Sequence, residues 1–279
     1  MRSSTPYRVL LAVALVVTAA PAVAQRSSAL DDDRWLDECR RGWNDDSRGR
    51  ACEVRVVPIK LSGRSIDVDG RQNGSVRVEG WDNTDVKVVA RIQTNAESDR
   101  DAADLLKDVR INSDDRRITA DGPRTDRGWR NRDHWSVSYV VYVPRRFDVA
   151  LDASNGSLAV TGVNGRMDLR TENGSVTLTD IGGDVRAHTQ NGSLSVQLAG
   201  AKWDGSGLDA ETQNGSVRMG IPSSYAAQIE TGTVNGHVTT DFPVTLQGRI
   251  GRTLSLPLNG GGTRLRATTT NGSVTLSRR

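Results

Sequence analysis

The sequence is poor in aromatics. Only 4% of its 279 residues are Phe, Tyr or Trp, and hydrophobic residues together reach only 36%. That is too little for a thick conventional core. Cysteine is limited to Cys39 and Cys52 and histidine to three residues, which leaves little material for a zinc cluster or a redox centre. Charge of one sign is also missing: 37 basic residues face 34 acidic ones. This balance excludes a polybasic nucleic-acid binder and an acidic disordered tail. After residue 20 no long apolar run occurs, so the mature chain is expected to be soluble and without a transmembrane anchor.

What is present begins with an export signal. Arg2 and Arg8 precede an apolar run from Val9 to Ala20, and Pro21-Ala22-Val23-Ala24 supplies small residues at a cleavage site. Residues 1–24 therefore read as a secretory signal peptide. The run is too short to span a bilayer, which needs about 20 apolar residues. In an oxidising compartment the two cysteines default to a disulfide. It would close residues 25–52 into an N-terminal segment whose Arg40–Ala51 loop has no core of its own.

Glycine is abundant, with 28 residues, and its placement is regular. Asn-Gly occurs at Asn73-Gly74, Asn155-Gly156, Asn164-Gly165, Asn173-Gly174, Asn191-Gly192, Asn214-Gly215, Asn235-Gly236, Asn259-Gly260 and Asn271-Gly272. Between Asn155 and Asn191 the turns step by nine residues, with Gly182-Gly183 in one slot. Asn-Gly accommodates positive φ angles, so each pair is read as a tight turn. After the turns come short alternating strands such as Ser157–Thr161, Arg166–Arg170, Ser175–Thr179 and Ser193–Leu198. Thr171–Val176 and Thr189–Leu194 match most closely at a step of 18, which implies two strands per coil.

The expected fold is all-β: a flattened β-solenoid with coils of ~18 residues, in which equivalent residues stack about 4.8 Å apart. The asparagines at 155, 173 and 191 would then form a corner ladder. The larger gap from Asn235 to Asn271 reads as two coils, and Ala199–Leu208 as a loop extruded from a corner. Residues 151–279 form this repeat region. Residues 53–150 form a β-rich portion with one helix near 99–109, capped by Ser98. Its strands are expected over Glu53–Ile59, Ser65–Val68, Ser75–Glu79, Asp85–Gln93, Ile111–Ala120, Trp135–Val143 and Phe147–Ala153.

These features together have a likeness. An exported start, a small Cys pair, one Asp/Ala/Leu helix, the strand Tyr139–Pro144 and repeated Thr-x-Asn-Gly-Ser-Val-x-Leu resemble a bacterial family of candidate adhesins, exported β-solenoid domains of unknown function. The resemblance spans Cys39 to Arg279. It implies an envelope or surface protein and brings no catalytic residues.

Other readings of the motifs are weaker. Asn-Gly-Ser also fits the glycosylation sequon, but its regular recurrence favours turns. Calcium rolls need Asp after each Gly-rich turn, and only Gly182-Gly183-Asp184 comes near. The strand carboxylates Asp168, Glu172, Asp180 and Glu211 read as dispersed, which argues against a polysaccharide lyase or hydrolase. No cofactor or metal is implied. One loop mixes charge and aromatics: Arg127, Trp129, Arg130, Arg132 and Trp135 are the candidate ligand contacts, able to grip an anionic glycan by charge and stacking. The expected function is non-enzymatic: a periplasmic or surface binding module for a glycan or an envelope protein, with no nucleic-acid partner. The alternatives are a polysaccharide-acting enzyme on the same β-solenoid scaffold and a structural part of the envelope, pairing through an apolar end near Leu276.

Overall fold

The computed structural model describes residues 21–42, 48–59, 63–114, 116–123, 133–243 and 253–279. The expected signal peptide lies largely outside these residues. Helix α1 (Pro21–Arg41) comes first, followed by β1 (Gly49–Val57), β2 (Ser65–Asp69), β3 (Val76–Trp81), β4 (Lys87–Ala96), helix α2 (Asp99–Asp108), β5 (Arg110–Ser113), β6 (Arg117–Asp121) and β7 (His134–Pro144). The repeat region contributes β8 (Asp148–Ala153), β9 (Leu158–Thr161), β10 (Asn164–Thr171), β11 (Val176–Thr179), β12 (Gly182–Asn191), β13 (Leu194–Gln197), β14 (Gly207–Asn214), β15 (Val217–Ile221), β16 (Ala227–Asn235), β17 (Val238–Thr240), β18 (Thr253–Leu258), β19 (Arg264–Asn271) and β20 (Val274–Arg278).

The strands form two sheets, stacked as the alternating pattern requires. Sheet A runs β1-β4-β7-β3-β9-β11-β13-β15-β20-β17 and sheet B runs β18-β16-β19-β14-β12-β10-β8-β2-β6-β5. Each coil contributes one strand to each sheet. Met167 lies beside Val149 and Val185, and Val176 beside Leu158 and Leu194, so the register advances by 18 residues per coil. The fold is the expected flattened solenoid. Its first coil is β2 and β3, which pack against β8 and β9.

Every second residue turns inward. Met167, Leu169, Val176 and Leu178 of one coil are all buried, as are their equivalents in the neighbouring coils. Each contributes about 2 kcal/mol of burial. The gap between the sheets is filled by aliphatic side chains, and the buried aromatics sit at ends and corners. Trp203, in the loop after β13, is one: its Nε1 donates to the Gly183 carbonyl at 3.0 Å.

One corner explains the Thr-x-Asn-Gly motif. The asparagine side chains form a single file in which each Nδ2 donates to the next Oδ1. The file runs Asn155 to Asn73 (3.2 Å), Asn173 to Asn155 (2.9 Å), Asn191 to Asn173 (2.8 Å), Asn214 to Asn191 (2.9 Å), Asn271 to Asn214 (2.7 Å) and Asn235 to Asn271 (2.6 Å). Buried threonines brace it: Thr171 donates to the Gly156 carbonyl at 2.8 Å and Thr189 to that of Gly174 at 2.7 Å. Asn164 belongs to the opposite corner and donates instead to Asp204.

Four expectations need correction. First, six of the seven glycines of the ladder corner are not left-handed, Gly272 with φ of +157° being the exception. Gly74, Gly156, Gly174, Gly192, Gly215 and Gly236 do not have φ in the left-handed region, whereas Asn259-Gly260 does, at +46° and +90°. The corner requires glycine because coils touch there. A Cβ on Gly174 would lie 2.1 Å from the Gly156 carbonyl oxygen, and one on Gly192 2.1 Å from that of Gly174. At the other corner a Cβ on Gly165 would meet the Phe147 carbonyl oxygen at 2.1 Å. Second, the final coils do not stack in chain order. The chain builds β16 and β17, returns antiparallel as β18, and inserts β19 and β20 between the earlier coils. Hence Leu276 is fully buried between β15 and β17 and ends no stack.

Third, a second helix exists: α1 docks on β1 through the Cys39–Cys52 disulfide. Arg91 also holds it, donating to Asp31 at 2.6 Å and Asp32 at 2.7 Å. Fourth, Ile111–Ala120 is a hairpin, β5 with β6, and not one strand. Helix α2 is as expected, with the Ser98 side chain accepting from the Asp101 N–H at 3.2 Å.

Candidate functional site

Coil stacking aligns outward side chains into rows, and the two outer faces differ. On sheet A one row reads Arg77, Ala159, Thr177, Ser195, Arg218 and Thr275. It is mostly small and uncharged. On sheet B one row reads Arg117, Asp67, Ala150, Asp168, Arg186, Asp209, Arg266 and Glu230. The next reads Asp69, Asp152, Arg170, His188, Glu211 and Thr268.

Most of these charges are paired. Arg117 reaches Asp67 at 3.3 Å and Asp69 at 3.2 Å, Arg170 meets Asp168 at 2.5 Å, and Arg266 meets Asp209 at 2.7 Å. Among the carboxylates and arginines of the two sheet B rows, Asp152 is the exception. Its carboxylate has no hydrogen bond or ion pair among the described residues, and it lies in register between Asp69 and Arg170. Partial burial pushes its pKa up, and the neighbouring charges of Asp67, Asp69 and Asp168 push the same way against Arg170. Asp67 is also raised, by burial and by Asp69, and its Oδ1 is buried without a hydrogen-bond partner.

Two shallow grooves cross this face. One, of about 420 Å³, is lined by Asp69, Asp152, Arg170, Glu172 and His188. The other, of about 190 Å³, holds Asp168, Arg186, Asp209 and Glu211 and shares Arg170 and His188 with the first. They make one open, charge-alternating track across successive coils. Such a surface offers hydrogen bonds and ion pairs to an extended polar ligand, coil after coil.

A third recess, of about 320 Å³, lies where the ladder begins, between Arg71, Gln72, Asn73, Asp121, His134 and Trp135. The Trp135 Nε1 donates to the Pro123 carbonyl at 3.0 Å, and Arg71 bonds Asp121 at 3.0 Å and Thr119 at 2.9 Å. Of the five expected ligand contacts, Trp135 lines this recess. Arg127, Trp129, Arg130 and Arg132 lie outside the described residues.

The corner file of asparagines is seven coils deep. A family profile described as Toastrack DUF4097 matches residues 71–277, from just before Asn73 to the last strand. The chain belongs to the Toastrack DUF4097 family. No curated protein matches it. Among solved structures this Toastrack chain is similar to a candidate cell adhesion protein from Clostridium sporogenes, at 10% identity and a TM-score of 0.39, covering 82% of this chain and all of the other. A candidate adhesin from Bacteroides fragilis is similar at 8% identity and a TM-score of 0.40, covering 82% of this chain and 97% of the other. A candidate lipid binding protein from Parabacteroides distasonis is similar at 10% identity and a TM-score of 0.27, covering 82% and 96%. Likenesses this distant bear on neither residues nor ligand.

Sequence reasoning missed the track. It treated Asp168, Glu172 and Glu211 as dispersed, yet all three line the two grooves, while Asp180 sits at a turn with φ of +50°. The available signal was the coil period: a step of 18 from Asp152 gives Arg170, and another gives His188.

Asp152 supplies a test of this electrostatic picture. Its folded-state pKa lies above the unfolded value, so folding disfavours the ionised form, and stability falls as pH rises through that range. Asp152→Asn removes the cost. The variant should melt at a higher temperature than the parent near pH 7, and the difference should close below about pH 3, where the parent carboxyl is neutral in both states. Equal melting at both pH values would show that Asp152 is fully solvated.

Proposed function

We infer that this Toastrack protein is an exported, non-enzymatic module of the bacterial envelope, periplasmic or surface-facing, and that its sheet B track binds an extended glycan or the polar surface of an envelope protein. The observation that carries the reading is the row Asp152-Arg170-His188-Glu211. It presents both charge signs and an imidazole, one coil apart, along an open groove. Export is supported by the basic-apolar-small start of the sequence and by the Cys39–Cys52 disulfide, which persists in oxidising compartments. No described helix is long and apolar enough to cross a membrane.

One observation favours a second reading. Asp152, with its raised pKa beside Asp69, has the character of a general acid, so the same track could act on a polysaccharide. One experiment separates the two. Purified protein is screened on a glycan array, and each bound glycan is then examined for cleavage by chromatography. Binding that falls about tenfold or more in Arg170→Ala and His188→Ala, without products, supports the module. Products lost in Asp152→Asn support the enzyme. A folded protein that binds no glycan and captures no envelope protein would sink the binding reading.

A further inference from the structure

The four outer edges of the two sheets are not equally protected. Sheet B ends on β5, only four residues long, and on β18, which carries Pro257. At its C-terminal side, sheet A ends on the three-residue β17. Short edges and proline resist pairing with another chain. The N-terminal edge of sheet A is different: it is the nine-residue β1, with no proline and no bulge.

The backbone phase of β1 can be read directly. Its register with β4 runs unbroken from Gly49↔Ala96 to Val57↔Val88, so successive amides point alternately toward β4 and away. The Arg50 N–H donates to Asp99 Oδ1 at 3.0 Å, at the start of α2, and so faces away from β4. Cys52, Val54 and Val56 share its phase. Their N–H and C=O groups point out of the sheet, and no described residue bonds them. Among the described residues, Val56, 62% exposed, is one of three large hydrophobic side chains left in solvent.

We propose that this edge pairs with β1 of a second copy, antiparallel about a two-fold axis through Val54. Charge selects both the occupant and the register. Glu53 and Arg55 flank Val54, side by side and ion-paired at 2.7 Å within one strand. In a dimer centred on Val54, each Glu53 faces the other copy's Arg55, and Cys52 faces Val56. Moving the centre by one residue puts Glu53 against Glu53 or Arg55 against Arg55. The centred register also aligns the outward amides, so Val54 pairs with its own copy and Cys52 with Val56 on either side. An interface whose two halves are the same patch closes on itself and stops at two copies. It would join two ten-stranded sheets into one and cover Val56.

The test is sedimentation of the purified chain over a range of concentrations, with melting temperature as a control for folding. Self-association to a dimer is expected. Val54→Pro removes an outward amide and no bond to β4, so it should melt normally and sediment as a monomer. Glu53→Arg sets like charges against each other at both crossings and should weaken the dimer about tenfold. The double change Glu53→Arg with Arg55→Glu restores opposite charges and should restore the dimer. A chain that is monomeric at every concentration would overturn the proposal. So would a dimer indifferent to Val54→Pro, or a double variant no tighter than the single one.

Discussion

Gly174→Ala should lower stability by about 3 kcal/mol, and the melting temperature by roughly 10 °C, although it adds a single methyl group. The new Cβ would lie 2.1 Å from the Gly156 carbonyl oxygen and 2.9 Å from Thr171 Oγ1. Neither can retreat. That carbonyl accepts the buried Thr171 hydroxyl at 2.8 Å, and the Gly156 backbone is pressed in turn on Gly74. Relief would require the coils to part, which would stretch the strand pairing on both sides of the corner. Gly200 supplies the comparison. Its φ is +76°, and a Cβ there meets nothing within 4 Å. Gly200→Ala should therefore cost only the left-handed penalty, about 1 kcal/mol. The two causes of glycine predict opposite orders: close approach makes Gly174→Ala the worse variant, and a left-handed requirement makes it Gly200→Ala. Gly174→Val or Gly192→Val should be worse still. Thermal melts of the Gly174 and Gly200 variants decide the matter, and equal midpoints would refute the contact assigned to the corner.

That misassignment shows where sequence reading stops. Glycine is selected both by positive φ and by lack of room, and an Asn-Gly pair looks the same in either case. The strands themselves were legible because alternation is local: Val176, Leu178, Leu194 and Val196 declare their inward face without reference to any neighbour. The 18-residue coil was legible because Thr171–Val176 and Thr189–Leu194 repeat it. Coil order at the C-terminal end was not. The motif states that a residue occupies the corner, but not which coil lies beside it, so Asn271 could not be placed between Asn214 and Asn235. Helix α1 escaped for another reason. Among its described side chains it is held by ion pairs from Arg91 to Asp31 and Asp32, by the Trp35 ring under Arg91 and by one disulfide, contacts that no sequence periodicity marks. Of the sheet B track, the carboxylates Asp168, Glu172 and Glu211 were noticed singly but not joined, and Trp135 lies in the separate recess beside Asn73; the row from Asp152 to Glu211 required the coil period to be applied to outward residues as well as inward ones.

The ladder invites the second large effect. Asn173→Ala should cost about 2 kcal/mol, twice the cost of Asn73→Ala. Asn173 stands inside the file: it donates to Asn155 at 2.9 Å and accepts from Asn191 at 2.8 Å. Asn73 stands at the end and only accepts, from Asn155 at 3.2 Å. At roughly 1 kcal/mol net per hydrogen bond, the interior loss is two bonds and the terminal loss one. The file is exposed, so water offsets part of each loss, and it does so for both variants alike. A chain of aligned amides also polarises its members, which would raise the interior cost above twice the terminal one. Denaturant melts of the two single variants measure the ratio. A ratio of one would mean that the ladder hydrogen bonds add nothing measurable to stability and that the corner is held by its glycines and threonines. A ratio of two or more would make the ladder a continuous seam, from the first coil at Asn73 to the last at Asn235, that sets the spacing at which the sheet B track presents its charges.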